Sequence, residues 1–155
     1  MKQVTVKAPR TGKFVDTAHV ETLRSNYKTE RWLHNSKKLG KEDSLSVWYS
    51  VSELEQFLST AREEGGDGVR MYFGTYSLQN APNPLYAGRQ TIVMVATKAK
   101  EVNGMVVDKD LFVNNGKDSQ IVAYNVGRLC PPFCIQTGGG FEELEINITD
   151  KAMAI

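Results

Sequence analysis

The stretch that decides the fold is SLSVWYSVSELEQFLSTAREEGGDGVRMYFGTY, residues 44–76. Its opening, SLSVWYS (44–50), is rich in aromatic and β-branched side chains and predicts a strand. It runs into SELE, where Ser52 and Glu55 have the spacing of a capping box, which satisfies free backbone N–H groups at a helix start. Leu54, Phe57, Leu58 and Ala61 then recur at i, i+3, i+4 and i+7, so one helical face is apolar. The helix should stop at EEGGDG, whose glycines supply the conformations of a C-cap and turn. VRMYFGTY (69–76) resumes as a strand with Val69, Met71, Phe73 and Thr75 on one face and Arg70, Tyr72, Gly74 and Tyr76 on the other. A strand, helix and strand in this length form a βαβ unit, right-handed and parallel if both strands share a sheet.

Upstream, Val4 and Val6 alternate weakly, so residues 1–15 read as an edge strand or a loose arm. With Thr17 as N-cap, Val20, Leu23 and Tyr27 mark a helical face, but the stripe then drifts to Arg31 and His34 while Trp32 and Leu33 point elsewhere. The helix is expected to bend, end or lie partly exposed before a stop at Gly40. Downstream, a loop with Pro82, Pro84 and Gly88 leads to TIVMVAT (91–97), apolar on both faces and therefore a central strand. VNGM and NNGK are turn signals, and QIVAY has strand character. After a Gly138–Gly140 spacer, ELEINIT (143–149) places Leu144, Ile146 and Ile148 on one side. The expected architecture is one α+β domain, 1–155, with a loose arm (1–15) and a Gly-linked C-terminal segment (138–155). It contains a mixed sheet of four to six strands, two main helices on one face and one strand-helix-strand unit.

Hydrophobic residues at 41% and charged residues at 24% are those of an ordinary globular chain. At 155 residues it can bury a sizeable core without a disulfide or a metal. No apolar run approaches the roughly 20 residues of a membrane span, and MKQVTVKAPRTGKFVD lacks the apolar core of a signal peptide. A cytoplasmic protein with reduced thiols is expected. Residues 1–41 carry ten Lys/Arg against three Asp/Glu, while the remainder carries nine against fifteen. The acidic part can neutralise the basic part internally, and a near-neutral whole argues against nucleic acid as the main partner.

Both cysteines fall in LCPPFC, residues 129–134. Pro131 and Pro132 favour a polyproline path at about 3.1 Å per residue, which would hold Cys130 and Cys134 beyond the roughly 7 Å limit for a disulfide. Three intervening residues and two prolines oppose a thioredoxin-like site. Zinc needs two further ligands, and the only histidines are His19 and His34, far upstream on a predicted helix. A rigid loop with packed thiols is the favoured reading, with a zinc site or a redox pair as alternatives. The carboxylates in EDS, DKD and FEELE offer no acid and base pair, and TGGGF lacks the Lys-Ser/Thr of a phosphate loop. The remaining candidate is the strand face Arg70, Tyr72 and Tyr76, where aromatic and basic side chains can hold a ligand or stack a base. The competing reading packs both tyrosines beneath the first helix.

Taken together, GVRMYFG (68–74), TIVMVATK (91–98) and LCPPFC resemble a group of small bacterial proteins of unknown function. In that group a helix precedes a G-hydrophobic-R-x-Y-x-G strand and a C-P-P-x-C segment lies near the C-terminus. The likeness spans residues 17–134, and the tail after Cys134 is longer than in the group. It implies a bacterial, cytosolic origin, and it carries over no activity and no functional residue. The expected function is a non-catalytic binding or accessory module for an unknown protein or small molecule, with no cofactor and with oligomerisation open. A thiol- or metal-dependent protein using Cys130 and Cys134 is the alternative, and nucleic-acid binding through the basic N-terminal part is the weaker one.

Overall fold

The computed structural model describes residues 6–134. In chain order, α1 (Thr17–Tyr27), a π-helical turn (Lys28–Trp32) and α2 (Leu33–Leu39) are followed by β1 (Ser46–Trp48), α3 (Val51–Glu63) and β2 (Gly68–Thr75). A 3-10 turn (Pro84–Tyr86), β3 (Gln90–Val102), β4 (Met105–Asp110), β5 (Phe112–Asn114), β6 (Ser119–Ile121), β7 (Ala123–Tyr124) and β8 (Arg128–Cys130) complete the set. The class is α+β. The segment ELEINIT and the Gly138–Gly140 spacer lie outside the described residues.

The 13-residue strand β3 is the centre, as its apolar faces predict. β2 pairs along one side of it, from Gly68 opposite Thr97 to Thr75 opposite Gln90. β7 and then β4 pair along the other side. β1 pairs with β8, and β5 with β6, as two separate ribbons. Every one of these pairings is antiparallel. The strand-helix-strand unit is therefore present, but β1 and β2 enter different sheets and form no parallel pair. Antiparallel partners need only tight turns, and VNGM provides one: Val102 faces Met105 across Asn103 and Gly104.

The capping box of α3 lies two residues earlier than Ser52 and Glu55. Extended Ser50 is the N-cap: its Oγ accepts from the Glu53 N–H at 3.1 Å, and its own N–H donates to the Glu53 carboxylate at 2.7 Å. YSVSELE satisfies the S-x-x-E pattern at both positions. The earlier one wins because Glu53 also accepts from the Tyr124 hydroxyl at 2.9 Å, tying the helix start to β7. From there Phe57 and Ala61 bury against Met94 and Ala96, with Leu54, Val69, Leu111, Val122 and Tyr124 around them.

The first helix is continuous to Gly40, which ends it in the left-handed conformation (φ 79°) that glycine adopts without a Cβ penalty. Asp16, not Thr17, is its N-cap, accepting from the His19 N–H at 2.9 Å. The π-helical turn accounts for the drifting stripe, because one extra residue per turn rotates all that follows. Tyr27 thereby reaches Gln90 with its hydroxyl (2.6 Å), and Trp32 donates its indole N–H to the Asp43 carbonyl (2.7 Å). The α1 half has no buried residue.

Two measurements check this anatomy. Replacing Ser50 by Ala should cost about 1–2 kcal/mol of unfolding free energy, whereas Ser52→Ala should be close to neutral. The Ser50 backbone N–H, the Ser50 hydroxyl and the Tyr124 hydroxyl all favour the Glu53 carboxylate and hold it below the usual carboxylate range. A lowered folded-state value stabilises the fold above the unfolded value and loses that stabilisation as pH falls through the folded one. Thermal melting from neutral to acidic pH should therefore show a shallower acid limb in Glu53→Gln.

Candidate functional site

Strand β2 brings the sequence candidates into play, and its hydrogen bonding decides which edge they occupy. Gly88 and Arg89 form a bulge opposite Tyr76: the Gly88 N–H donates to the Tyr76 carbonyl at 3.0 Å, and the Tyr76 N–H donates to the Arg89 carbonyl at 3.0 Å. Gly88 takes φ 74°, and a Cβ there would meet Leu39 and Leu78, so the bulge needs glycine. On the far side of β3, the Ala96 N–H donates to Val122 and the Ala96 carbonyl accepts from Leu111. Ala96 stands opposite Val69. By the two-residue alternation of an antiparallel ladder, Gly68, Arg70, Tyr72 and Gly74 bond to β3, while the N–H and C=O groups of Val69, Met71 and Phe73 point away from it. Among the described residues no strand pairs with that outer edge.

The side chains divide by face. Met71 and Phe73 share the face of Met94 and Ile92, but of β2 only its start, at Val69, packs against the α3 cluster. They remain 59% and 80% exposed. On the opposite face, Arg70 and Tyr72 converge on Asp110 of β4. The Arg70 guanidinium meets one carboxylate oxygen at 2.6 Å, the Tyr72 hydroxyl donates to the other at 2.5 Å, and Arg70 also donates to the Asp108 carbonyl at 2.8 Å. Arg70 lies 5.9 Å from the Tyr72 ring centre. Contact with Tyr72 and then Asp110 holds its guanidinium above the ordinary value, against the opposing effect of burial. This cluster fixes a cation and an aromatic ring at a partly exposed sheet surface. Asp110 had no signal in the sequence beyond the solvated run DKD; only the register opposite Thr97 places it there.

Tyr76 is separated from this pair. Its hydroxyl donates to the Asn125 side-chain oxygen at 3.0 Å and accepts from Thr91 at 3.1 Å. Its ring stacks on Tyr86 at 5.6 Å, and Tyr86 meets Phe133 edge-on at 5.7 Å. Tyr76 thus supports the cysteine loop, and the three-residue face expected from the sequence reduces to Arg70 and Tyr72.

The cysteine loop overturns the expectation of separated thiols. Cys130 and Cys134 form a disulfide, with Cα atoms 4.7 Å apart. The extended path assumed trans prolines, whereas the peptides before Pro131 and Pro132 are both cis. A hydrogen bond from the Phe133 N–H to the Leu129 carbonyl (2.8 Å) closes the reversal. Leu129 is fully buried beneath it. In the bonded state neither sulfur is the thiolate that ligates zinc or attacks a substrate. His19 and His34 are exposed on the first helix, and among the described residues no three His, Cys, Asp or Glu side chains gather to hold a metal.

The basic residues from Arg24 to Lys41 occupy exposed positions of the first helix and its end. The ion pairs Arg70–Asp110 and Lys98–Asp67 both lie within the acidic remainder. Beside α1, a cleft of about 490 Å³ is lined by Leu23, Arg24, Tyr27, Lys28 and Leu45. None of the sequence candidates faces it. No helix among the described residues is long and apolar enough to cross a membrane. No family model, no curated protein and no solved structure matches the chain.

Proposed function

We propose that this chain is a non-catalytic binding module that takes an extended peptide segment along the outer edge of β2; the Cys130–Cys134 disulfide removes the reduced-thiol ground on which a cytosolic location was expected. One observation supports the reading: an eight-residue edge strand carries outward N–H and C=O groups, with exposed Met71 and Phe73 on one face and the Arg70–Tyr72–Asp110 cluster on the other. Strand addition draws its affinity from main-chain hydrogen bonds and its selectivity from alternate side chains. The preferred segment has apolar residues on one side, to cover Met71 and Phe73, and acidic residues on the other, beside Arg70. An edge of this length, with no described strand paired to it, is otherwise a site of uncontrolled pairing, which folded chains avoid.

The test is a titration of the isotope-labelled full chain with a heptapeptide of alternating valine and glutamate, followed by amide chemical shifts. Saturable changes confined to residues 69–75 are expected, and Phe73→Asp should weaken binding by about tenfold or more, roughly 1.4 kcal/mol. Absence of saturable change at this strand overturns the reading. The thiol alternative separates cleanly. By loop-closure entropy, opening the five-residue Cys130–Cys134 ring should cost about 2 kcal/mol of stability, measurable by denaturant titration of Cys130→Ser/Cys134→Ser. Peptide affinity should not change; loss of it on reduction would move the function to the loop.

A further inference from the structure

We infer that the groove between the first helix and the sheet binds a small amphipathic anion, an aliphatic chain ending in a carboxylate. The site lies apart from the outer edge of β2, so the inference goes beyond the strand-addition reading and does not rest on it.

Two clefts make the groove. The larger, about 490 Å³, has Leu23, Tyr27 and Leu45 as its apolar lining, with Glu21, Arg24 and Lys28 around them. The smaller, about 200 Å³, runs from Tyr27 and Leu45, which line both clefts, to Val47, Ile92 and Phe73. Volumes of this order suit a small molecule rather than the face of a folded partner. The walls come from segments distant in sequence, and each is fixed. Tyr27 is held by its hydroxyl on Gln90, and Leu45 by its N–H on the Cys130 carbonyl at 2.7 Å.

The lining changes character along the groove. In the inner cleft the polar groups are already spent on protein partners: the Tyr27 hydroxyl donates to the Gln90 side chain, the Ser44 hydroxyl to the Gln90 carbonyl and the Thr91 hydroxyl to Tyr76. What remains for a ligand is mainly carbon, from Leu45, Val47, Ile92 and Phe73. Leu23 at 56% and Phe73 at 80% exposure are apolar surfaces left to water, which an aliphatic chain would cover. The outer cleft is cationic. Arg24 and Lys28 stand one helical turn apart on the same side of the helix, beside the apolar row of Leu23 and Tyr27, against the single carboxylate of Glu21. The Lys28 ammonium sits 5.5 Å from the Trp32 ring centre, which positions it. An apolar row beside a cationic row complements a molecule with an apolar body and one negative end. The described N-terminal segment is not the occupant, because Ala8, Pro9 and Thr11 lie in a separate cleft against Gly68, Val69 and Arg70, at the start of β2.

The experiment is a titration of the isotope-labelled full chain with decanoate, kept below its micelle-forming concentration and read by amide chemical shifts. It is repeated with decyltrimethylammonium, which has the same chain and the opposite charge. Saturable changes at Leu23, Tyr27, Leu45 and Ile92 are expected with decanoate, while the Ala61 amide of α3 stays in place. Leu23→Asp should weaken binding by about tenfold or more. Lys28→Glu should weaken it by roughly fivefold, and Lys28→Arg should keep the affinity. Leu23 and Lys28 are exposed, so the variants should fold, and an unshifted Ala61 amide confirms it. The cationic analogue should bind roughly fivefold or more weakly, and added salt should narrow the difference. No saturable change in the groove overturns the inference. Equal affinity for the two surfactants, or an affinity indifferent to Lys28→Glu, also overturns it, since either means apolar adsorption only. Movement of Ala61 together with the groove amides marks unfolding by the surfactant and counts against it in the same way. Groove shifts that depend on protein concentration without ligand, with a dimer in sedimentation, overturn it in favour of a second copy. The strand-addition reading is scored separately, because the valine–glutamate heptapeptide should move residues 69–75 and leave Leu23 and Leu45 unshifted.

Discussion

The buried carboxylate of Asp43 joins the first helix, the connection to β1 and the start of β3 at one point. One of its oxygens accepts the Gln90 N–H at 2.7 Å and the Ser44 N–H at 2.8 Å. Its backbone carbonyl takes the Trp32 indole, and its N–H donates to the Ser36 hydroxyl at 2.9 Å. Four short bonds thus tie the first helix, the connection to β1 and the first residue of β3. Arg89 lies alongside, buried, donating to the Glu42 and Leu85 carbonyls. Burial pushes its guanidinium below the ordinary value, and the charges of Asp43 and Glu42 pull it back. A buried carboxylate is tolerated only with such partners, and leaving them unpaired costs about 1–3 kcal/mol for each group. Neither the α1 half nor α2 has a buried residue, and the helix is held to β3 by polar bonds, this node together with the Tyr27 hydroxyl on Gln90.

The sheet shows the complementary arrangement. α3 rests on Met94 and Ala96 of β3 and on Tyr124 of β7, and its start is held by Glu53. A single 13-residue helix spans about 20 Å, and it lies over the middle and one side of a sheet whose other margin is β2. The apolar face of β2 beyond Val69, at Met71 and Phe73, is left exposed for this reason. Its opposite face is polar and already organised by Asp110, so the two sides of one strand offer chemically different surfaces to the same incoming segment.

Much of this was legible in the sequence. The α+β class, α3 and its apolar face, the central strand and the VNGM turn follow from local periodicity and turn chemistry, and each is present. What was misread depended on distant partners. Two overlapping capping patterns sit in YSVSELE, and only Tyr124, seventy-one residues away, selects Ser50 and Glu53. Arg70, Tyr72 and Tyr76 alternate on one face, yet Asp110 and Asn125 draw them to different neighbours. The path through Pro131 and Pro132 was wrong because proline fixes φ but leaves the isomer of its preceding peptide to the surroundings, here Leu129, Tyr86 and Phe133. The expected mixed sheet is antiparallel among the described residues, because β1 and β2 would be parallel only in a shared sheet and adjacency in sequence does not specify which sheet each strand joins.

The π-helical turn at Lys28–Trp32 has a consequence for how this chain tolerates change in length. One residue of an α-helix corresponds to about 100° of rotation. Removing a single residue from that turn would restore regular winding while Trp32 and Ser36 stay fastened to Asp43, and the α1 half would turn about its own axis, drawing Tyr27 away from Gln90. Val20 and Leu23 would then face a new quarter of the surroundings, although no atom of the sheet had moved. The wide turn works as an angular index, and the projecting helix owes its heading to one surplus residue.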